Sequence, residues 1–291
     1  MGKNLSKLTA VLAVLTLLLL FKTAVLPRLK TQESGYTQII KDVDRGALSA
    51  ITLEKKDESV KLTKEGELWK IAGKRAAQTK VEQLIDGLTK PAGVQLVAQT
   101  DARHSELGVS SGEGTLVTLG EKKFIAGAPS ISGVYIRAEG NNDVYLLSSF
   151  SSSIISTSVS FWVDMTLAAF GSDKLNSVAI TRGKEIINAE KKDGKWVLQT
   201  SGKEVKEDIW NPIISRLGNF SADALAQSEN IKKYPTQANL TLSLQAEGNS
   251  ETLSFFKGTS DYLVKRESDG AYFTLSEDKL KDFLVTAGQL E

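Results

Sequence analysis

The sequence predicts an α+β protein: two tandem copies of a mainly antiparallel sheet with one main helix each, after a single N-terminal transmembrane helix. Three observations predict it. Landmark residues recur at a constant offset of 127 positions, pairing Leu48 with Leu175, Ile51 with Val178, Leu53 with Ile180, Trp69 with Trp196, Tyr135 with Tyr262 and Tyr145 with Tyr272. A register held over such a distance marks a duplicated unit. Strand-like alternation with hairpin-length connections dominates each copy, interrupted by one helical stripe. Residues 8–21 form an unbroken run of apolar residues and threonines.

That run, with Lys22 able to snorkel at its end, approaches the roughly 20 residues a helix needs to cross a bilayer core. A cleaved signal peptide is the competing reading. The stretch Lys22-Thr23-Ala24-Val25-Leu26-Pro27 lacks small residues at both positions before a cut, which favours an uncleaved anchor. Lys3 and Lys7 on one flank face Lys22, Arg28 and Lys30 on the other. The positive-inside count is nearly balanced, and a cytoplasmic N-terminus with the bulk of the chain outside is the expected orientation.

The remaining elements follow in order. Residues 31–47 read as a polar stalk with a helical turn near Ile39. In the first copy, strands are expected at 48–53, 60–63 and 68–71, forming a three-stranded meander. Thr79 and Glu82 have capping-box spacing, and Val81, Leu84, Ile85 and Leu88 make one apolar helix stripe ended by Pro91 and Gly93. Strands follow at 94–98, 115–119, 123–126, 134–137 and 144–147, with a short helix after Phe150.

The second copy repeats this order. A meander at 178–181, 186–189 and 195–198 turns at Asp193-Gly194, and Ile209, Ile213, Ile214 and Leu217 form the helix stripe. Strands at 240–244, 253–256, 262–265 and 271–275 precede a closing helix with Leu280, Phe283 and Leu284 on its apolar side. The predicted organisation is therefore an anchor (1–30), a stalk (31–47), a first repeat (48–157), a connector (158–174) and a second repeat (175–291).

Composition narrows the function. The 291 residues are 41% hydrophobic and 24% charged, as in globular domains. Outside the basic first 30 residues, the chain carries 31 basic and 35 acidic residues, which leaves no electrostatic footprint for nucleic acid. The absence of cysteine removes disulfides, thiolate catalysis and cysteine-ligated metals.

His104 is the only histidine, so a multi-histidine metal site is excluded. In its polar loop it reads as a solvated residue. The glycines between Gly108 and Gly114 lack the Gly-Lys-Ser/Thr ending of a phosphate loop and read as a turn. The acid pairs Asp42/Asp44 and Glu277/Asp278 read as solvated surface. Trp69 and Trp196, present in both copies, suit packing. Trp162 and Trp210 are not duplicated and are the candidates for a partner interface. No catalytic, cofactor-binding or metal-binding residue is assigned.

Several motifs share one order: Leu107-Gly108-Val109, then Thr115-Leu116-Val117-Thr118-Leu119, Phe124-Ile125-Ala126-Gly127, Gly133-Val134-Tyr135-Ile136-Arg137, Val144-Tyr145-Leu146-Leu147 and Lys192-Asp193-Gly194-Lys195-Trp196. In this the chain resembles the bacterial domain-of-unknown-function 4340 family over nearly all of residues 45–287. The second copy departs from the pattern, with Lys233-Tyr234-Pro235 in place of Leu-Gly-Val and Asp261 before Tyr262. The resemblance implies a single N-terminal anchor and association with gliding-motility-type ABC transport components, and it carries over no catalytic residue.

The expected function is that of a non-enzymatic scaffold or accessory subunit. It would sit in the bacterial inner membrane as a single-pass protein facing outward, with the lipid bilayer and ABC transporter permease or ATPase subunits as partners. The alternative is an envelope module that binds a peptide, glycan or cell-wall fragment. An enzyme would need carboxylates from both copies to converge in one cleft.

Overall fold

A computed structural model describes residues 35–41, 43–148 and 150–291. The expected anchor lies outside these residues. Among the described residues, no helix is long and apolar enough to cross a membrane. The chain divides into two compact units, one comprising residues up to Ala72 with Gln78–Trp162, the other Gly73–Ala77 with Val163–Glu291. Both are built mostly of antiparallel strands with few helices.

In the first unit, α1 (residues 35–40) precedes β1 (Ala50–Lys55), β2 (Glu58–Glu65) and β3 (Leu68–Ile71). The two-residue β4 (Lys74–Arg75) falls in the stretch assigned to the second unit; in the first, α2 (Gln78–Thr89) follows, and β5 (Gly93–Ala98), β6 (Thr115–Leu119), β7 (Lys122–Ser130), β8 (Gly133–Ala138) and β9 (Val144–Ser148) complete the sheet. Strand order within the unit is β3-β2-β1-β6-β7-β8-β9-β5. Period-two alternation sets the register, because it sends one face of each strand inward. Ile51 therefore lies opposite Leu62 on β2 and Leu119 on β6, and Leu53 lies opposite Val60 and Val117. All six are buried. Helix α2 buries the expected stripe of Val81, Leu84, Ile85 and Leu88.

Thr79 does not cap α2, because the helix already begins at Gln78. Gln78 instead straps the helix to β3, its amide accepting from Trp69 N at 2.8 Å and donating to Trp69 O at 2.9 Å. The described part of the expected stalk is folded onto this unit. Tyr36 is buried, donates to Leu88 O at 2.8 Å and packs against Tyr145 with ring centroids 5.4 Å apart. Burial pushes its hydroxyl pKa well up. Arg45 forks between Asp86 and Glu82 on α2. The short helix expected after Phe150 is a 3₁₀ turn, Ser152–Ile154, followed by α3 (Val159–Trp162).

In the second unit, β10 (Thr166–Ala168) pairs with β14 (Phe220–Ser221) as a small separate sheet that periodicity does not reveal. The main sheet has β11 (Leu175–Arg182), β12 (Glu185–Lys192), β13 (Lys195–Leu198), β15 (Ala224–Leu225), β16 (Leu240–Ala246), β17 (Asn249–Lys257), β18 (Asp261–Arg266) and β19 (Ala271–Ser276). Its order is β13-β12-β11-β16-β17-β18-β19-β15. Without the two-residue β4, the two sheets have the same strand order. β2, β3 and β7 are displaced by 127 residues at both ends to give β12, β13 and β17. Helix α4 (Glu207–Gly218) buries Trp210, Ile213, Ile214 and Leu217.

The closing segment is two 3₁₀ turns, Glu277–Lys279 and Lys281–Phe283, and not the expected α-helix. A period of three places Leu280 and Phe283 on one side, where both are buried, and turns Leu284 outward at 36% exposure.

The second unit holds its largest buried charge at the end of β18. Arg266 is 0% exposed and makes a bidentate pair with Asp269 at 3.0 and 2.6 Å. It also donates to Asp164 O at 2.8 Å and Thr166 O at 2.6 Å and stacks over Phe273. Arg75 joins the same cluster, its backbone N–H on Asp269 at 2.8 Å and its guanidinium on Asp164 at 2.8 Å and Thr166 O at 2.7 Å. Burial works to raise the Asp269 carboxyl pKa, but Arg266 and the amides of Arg75 and Ala271 outweigh it and hold the group below its ordinary range.

Asp269→Ala leaves Arg266 buried without its counter-ion and is expected to cost the second unit about 3–5 kcal/mol. Arg266→Met combined with Asp269→Asn is expected to cost less than that single change. Denaturant unfolding of the full chain checks both. The pH dependence follows from the depressed carboxyl: its contribution is complete above the unfolded carboxylate range, about pH 4, and is lost as pH falls through the folded value.

Candidate functional site

The site builds from the β12–β13 hairpin. Asp193 and Gly194 both have positive φ, 49° and 82°, the conformation a two-residue hairpin turn requires. Trp196, the second residue of β13, stands opposite Lys191 and is half-buried. The outer edge of β13 is already occupied. Val205 N donates to Trp196 O at 3.0 Å, Leu198 N to Lys203 O at 2.9 Å, and Val197 bridges to Glu204. This return strand carries the chain directly into α4, whose first turn brings Trp210 beneath Trp196. Their ring centroids are 5.5 Å apart and the planes are tilted by 59°.

Trp196 and Trp210 line a cavity of about 400 Å³ with Ser172, Asp173, Lys191, Lys195, Glu204, Glu207, Asn211 and Ile214. Its walls carry charges of both signs, largely spent on one another. Lys195 donates to Glu204 at 2.7 Å, which raises the lysine pKa, and Lys191 donates to Ser172 O at 3.2 Å. Trp210 is 1% exposed. Its indole Nε1 is the one buried side-chain polar atom among the described residues with no hydrogen-bond partner. Buried donors in folded proteins are almost always paired, and an orphan costs about 1–3 kcal/mol.

The first unit treats the equivalent ground differently. Trp69 is 3% exposed and is strapped down by Gln78. Two further cavities in that unit are bordered by exposed loops. One, of about 410 Å³, lies beside Gly87 and Phe150, the other, of about 580 Å³, between Ala47 and Glu121, and neither is lined by an orphaned buried side-chain group.

The residues singled out from sequence are dispersed. Trp162 is 0% exposed, donates from Nε1 to Ser156 O at 2.7 Å and meets Phe161 edge-on. Neither Trp162 nor Trp210 presents its ring at the surface, and Trp210 is the one of the two that lines the cavity described above. His104 is not solvated: it is 8% exposed, and its Nε2 contacts Asn142 O at 2.9 Å. Asp44 accepts from Gly46 N and Glu277 pairs with Lys257, both at the surface, while Asp42 lies outside the described residues. Among the described residues, no group of three or more histidine, aspartate or glutamate side chains is placed to hold a metal.

The glycine-rich stretch is a turn packed backbone to backbone. Gly108 has φ 68°, and a Cβ on Gly127 would overlap the Leu107 carbonyl. Leu107 and Val109 are buried with Ile125 and Val144, and Arg137 donates to Val109 O at 2.9 Å. In the second unit, the departure at Lys233-Tyr234-Pro235 has its own solution. Tyr234 donates to Asp261 at 2.8 Å, and burial with that carboxylate raises its pKa to about 12.

The family model described as "Domain of unknown function (DUF4340)" matches residues 69–239, more than half of the chain, and the chain belongs to that family. The match takes in both matched tryptophans and the cavity. No curated protein matches the chain, and no solved structure does.

The contrast between the two buried indoles is measurable. Trp162→Phe abandons the Ser156 carbonyl, whereas Trp210→Phe breaks no hydrogen bond. The first is expected to cost about 1–2 kcal/mol more than the second in denaturant unfolding of the full chain. Equal costs would mean that Trp210 Nε1 is satisfied within the protein.

Proposed function

Proceeding from that family membership, we propose that the chain is a non-enzymatic, membrane-tethered binding module whose second unit holds a small polar ligand in the cavity beside Trp196. The observation that carries this reading is a cavity of about 400 Å³ walled by the half-buried Trp196, by Trp210 and by charged and amide side chains, within the size range of small-molecule sites. The shared strand order and the 127-residue displacement support reading the two units as copies of one unit. Trp69 in the first remained a packing residue, while Trp196 in the second came to wall a cavity.

Tethering is supported by the apolar run at residues 8–21, which suits a single-pass anchor in a bacterial inner membrane. A second role, as accessory subunit of a membrane complex such as an ABC-type transport system, is what the family resemblance implies. Ile131, fully exposed at the tip of the β7–β8 hairpin, is a position from which a partner can be probed.

Native mass spectrometry of the full chain, purified in mild detergent from its own membranes, tests the ligand reading. Wild type is expected to carry an added small-molecule mass that Trp196→Ala loses while remaining folded. Identical bare masses for both would refute it. For the second role, a photocrosslinker at position 131 is expected to capture permease or ATPase subunits, and capture of none would remove it.

A further inference from the structure

We infer that the outer edge of β5 is the surface on which a second copy of this chain docks, the two β5 strands pairing antiparallel across a two-fold axis. The inference stands apart from the cavity beside Trp196, and neither depends on the other.

A strand at the end of a sheet shows a row of unpaired N–H and C=O groups, and folded chains ordinarily shield such an edge with charge, proline, brevity or a covering segment. The second unit does so at both ends. Residues 203–205 bond along β13, and the opposite end is β15, only two residues long. The chain leaving α4 toward that end carries an added strand as well, since Phe220–Ser221 pairs with β10 and Ala222 N donates to Met165 O at 2.9 Å. In the first unit, β5 is six residues long, ends the sheet and pairs with β9 alone. Among the described residues, no main chain bonds its other side. A bulge between Leu96 and Ala98 and the Arg103 guanidinium on Val97 O at 3.2 Å blunt its last residues, which leaves Gly93–Leu96 open.

The chemistry of this edge favours its own copy. Residues 92–100 carry no charge, and the exposed Lys90 and Asp101 flank them at opposite ends. An axis through Gln95 sets Val94 opposite Leu96 of the second copy and, at each end of the seam, brings a Lys90 toward an Asp101. A parallel pairing would instead set lysine beside lysine and aspartate beside aspartate. Val94, Leu96 and Val97 are half-buried in the single chain, so a second strand also takes apolar surface out of water. Gln95, the exposed residue of the strand, then lies against its own counterpart.

The test is sedimentation velocity of the full chain in mild detergent, where wild type is expected to run as a dimer. Gln95→Lys and Gln95→Glu each set like charges against one another across the axis. Each is expected to weaken self-association about fivefold or more while melting at the wild-type temperature, and mixing the two is expected to restore a one-to-one dimer. Because the chain has no cysteine, Gln95→Cys provides a single thiol. Mild oxidation is expected to link it into a dimer far faster than Asp57→Cys, an exposed control on the β1–β2 turn. A monomeric wild type, a dimer indifferent to charge at position 95, or equal linking of the two cysteine variants would overturn the inference. So would linkage of Gln95→Cys to a different protein in native membranes, which would assign the edge to another chain's strand.

Discussion

The constraint on which the structure turns is that a polar group taken out of water must find a partner inside. Arg266 is the severest instance. A guanidinium with no solvent exposure is held by one carboxylate, two backbone carbonyls and an aromatic face. Those partners come from separate stretches of the second unit: the turn after β18 supplies Asp269, and the segment entering β10 supplies the carbonyls of Asp164 and Thr166. The charge thereby fixes where these segments lie. Arg137 does similar work in the first unit with carbonyls alone, and burial accordingly lowers its pKa. Tyr36, His104 and Trp162 each spend a polar atom on a backbone carbonyl. Against this background Trp210 Nε1, buried without a partner, is the exception among the buried side-chain polar atoms of the described residues.

The two units show how one strand order accommodates different local solutions. In the first, Leu107-Gly108-Val109 lays backbone directly on β7, which only glycine at 108 and 127 permits. In the second, the corresponding ground is held by the Tyr234–Asp261 hydrogen bond, a side-chain device with both groups packed against Gly258. The tryptophan after the meander turn diverged in the same way. Gln78 closes the first unit over Trp69, while in the second a return strand and a second indole leave a walled space.

The sheets were legible because their signal is local. Alternation in β1, β2 and β3 depends only on which neighbours face inward, and the constant offset carried the same reading into β11, β12 and β13. Residues whose setting is decided by distant chain were not legible. His104 lies in a sequence as polar as any surface loop, and it is buried because Asn142, 38 positions away, returns over it. The closing segment has helical spacing at Leu280, Phe283 and Leu284, yet a tighter turn puts only the first two inside. For the candidate site, sequence singled out Trp210 as unduplicated and set Trp196 aside as packing. That the two meet, and that one of their N–H groups is left over, depends on how α4 docks beneath the hairpin, which no spacing of residues encodes.

The most direct measurement is an experimental high-resolution structure of the full chain purified from its native membranes without added ligands. The account predicts non-protein density in the cavity, against the Trp196 ring. Rings of Trp196 and Trp210 in mutual contact, with nothing but water in the space beside them, would contradict it.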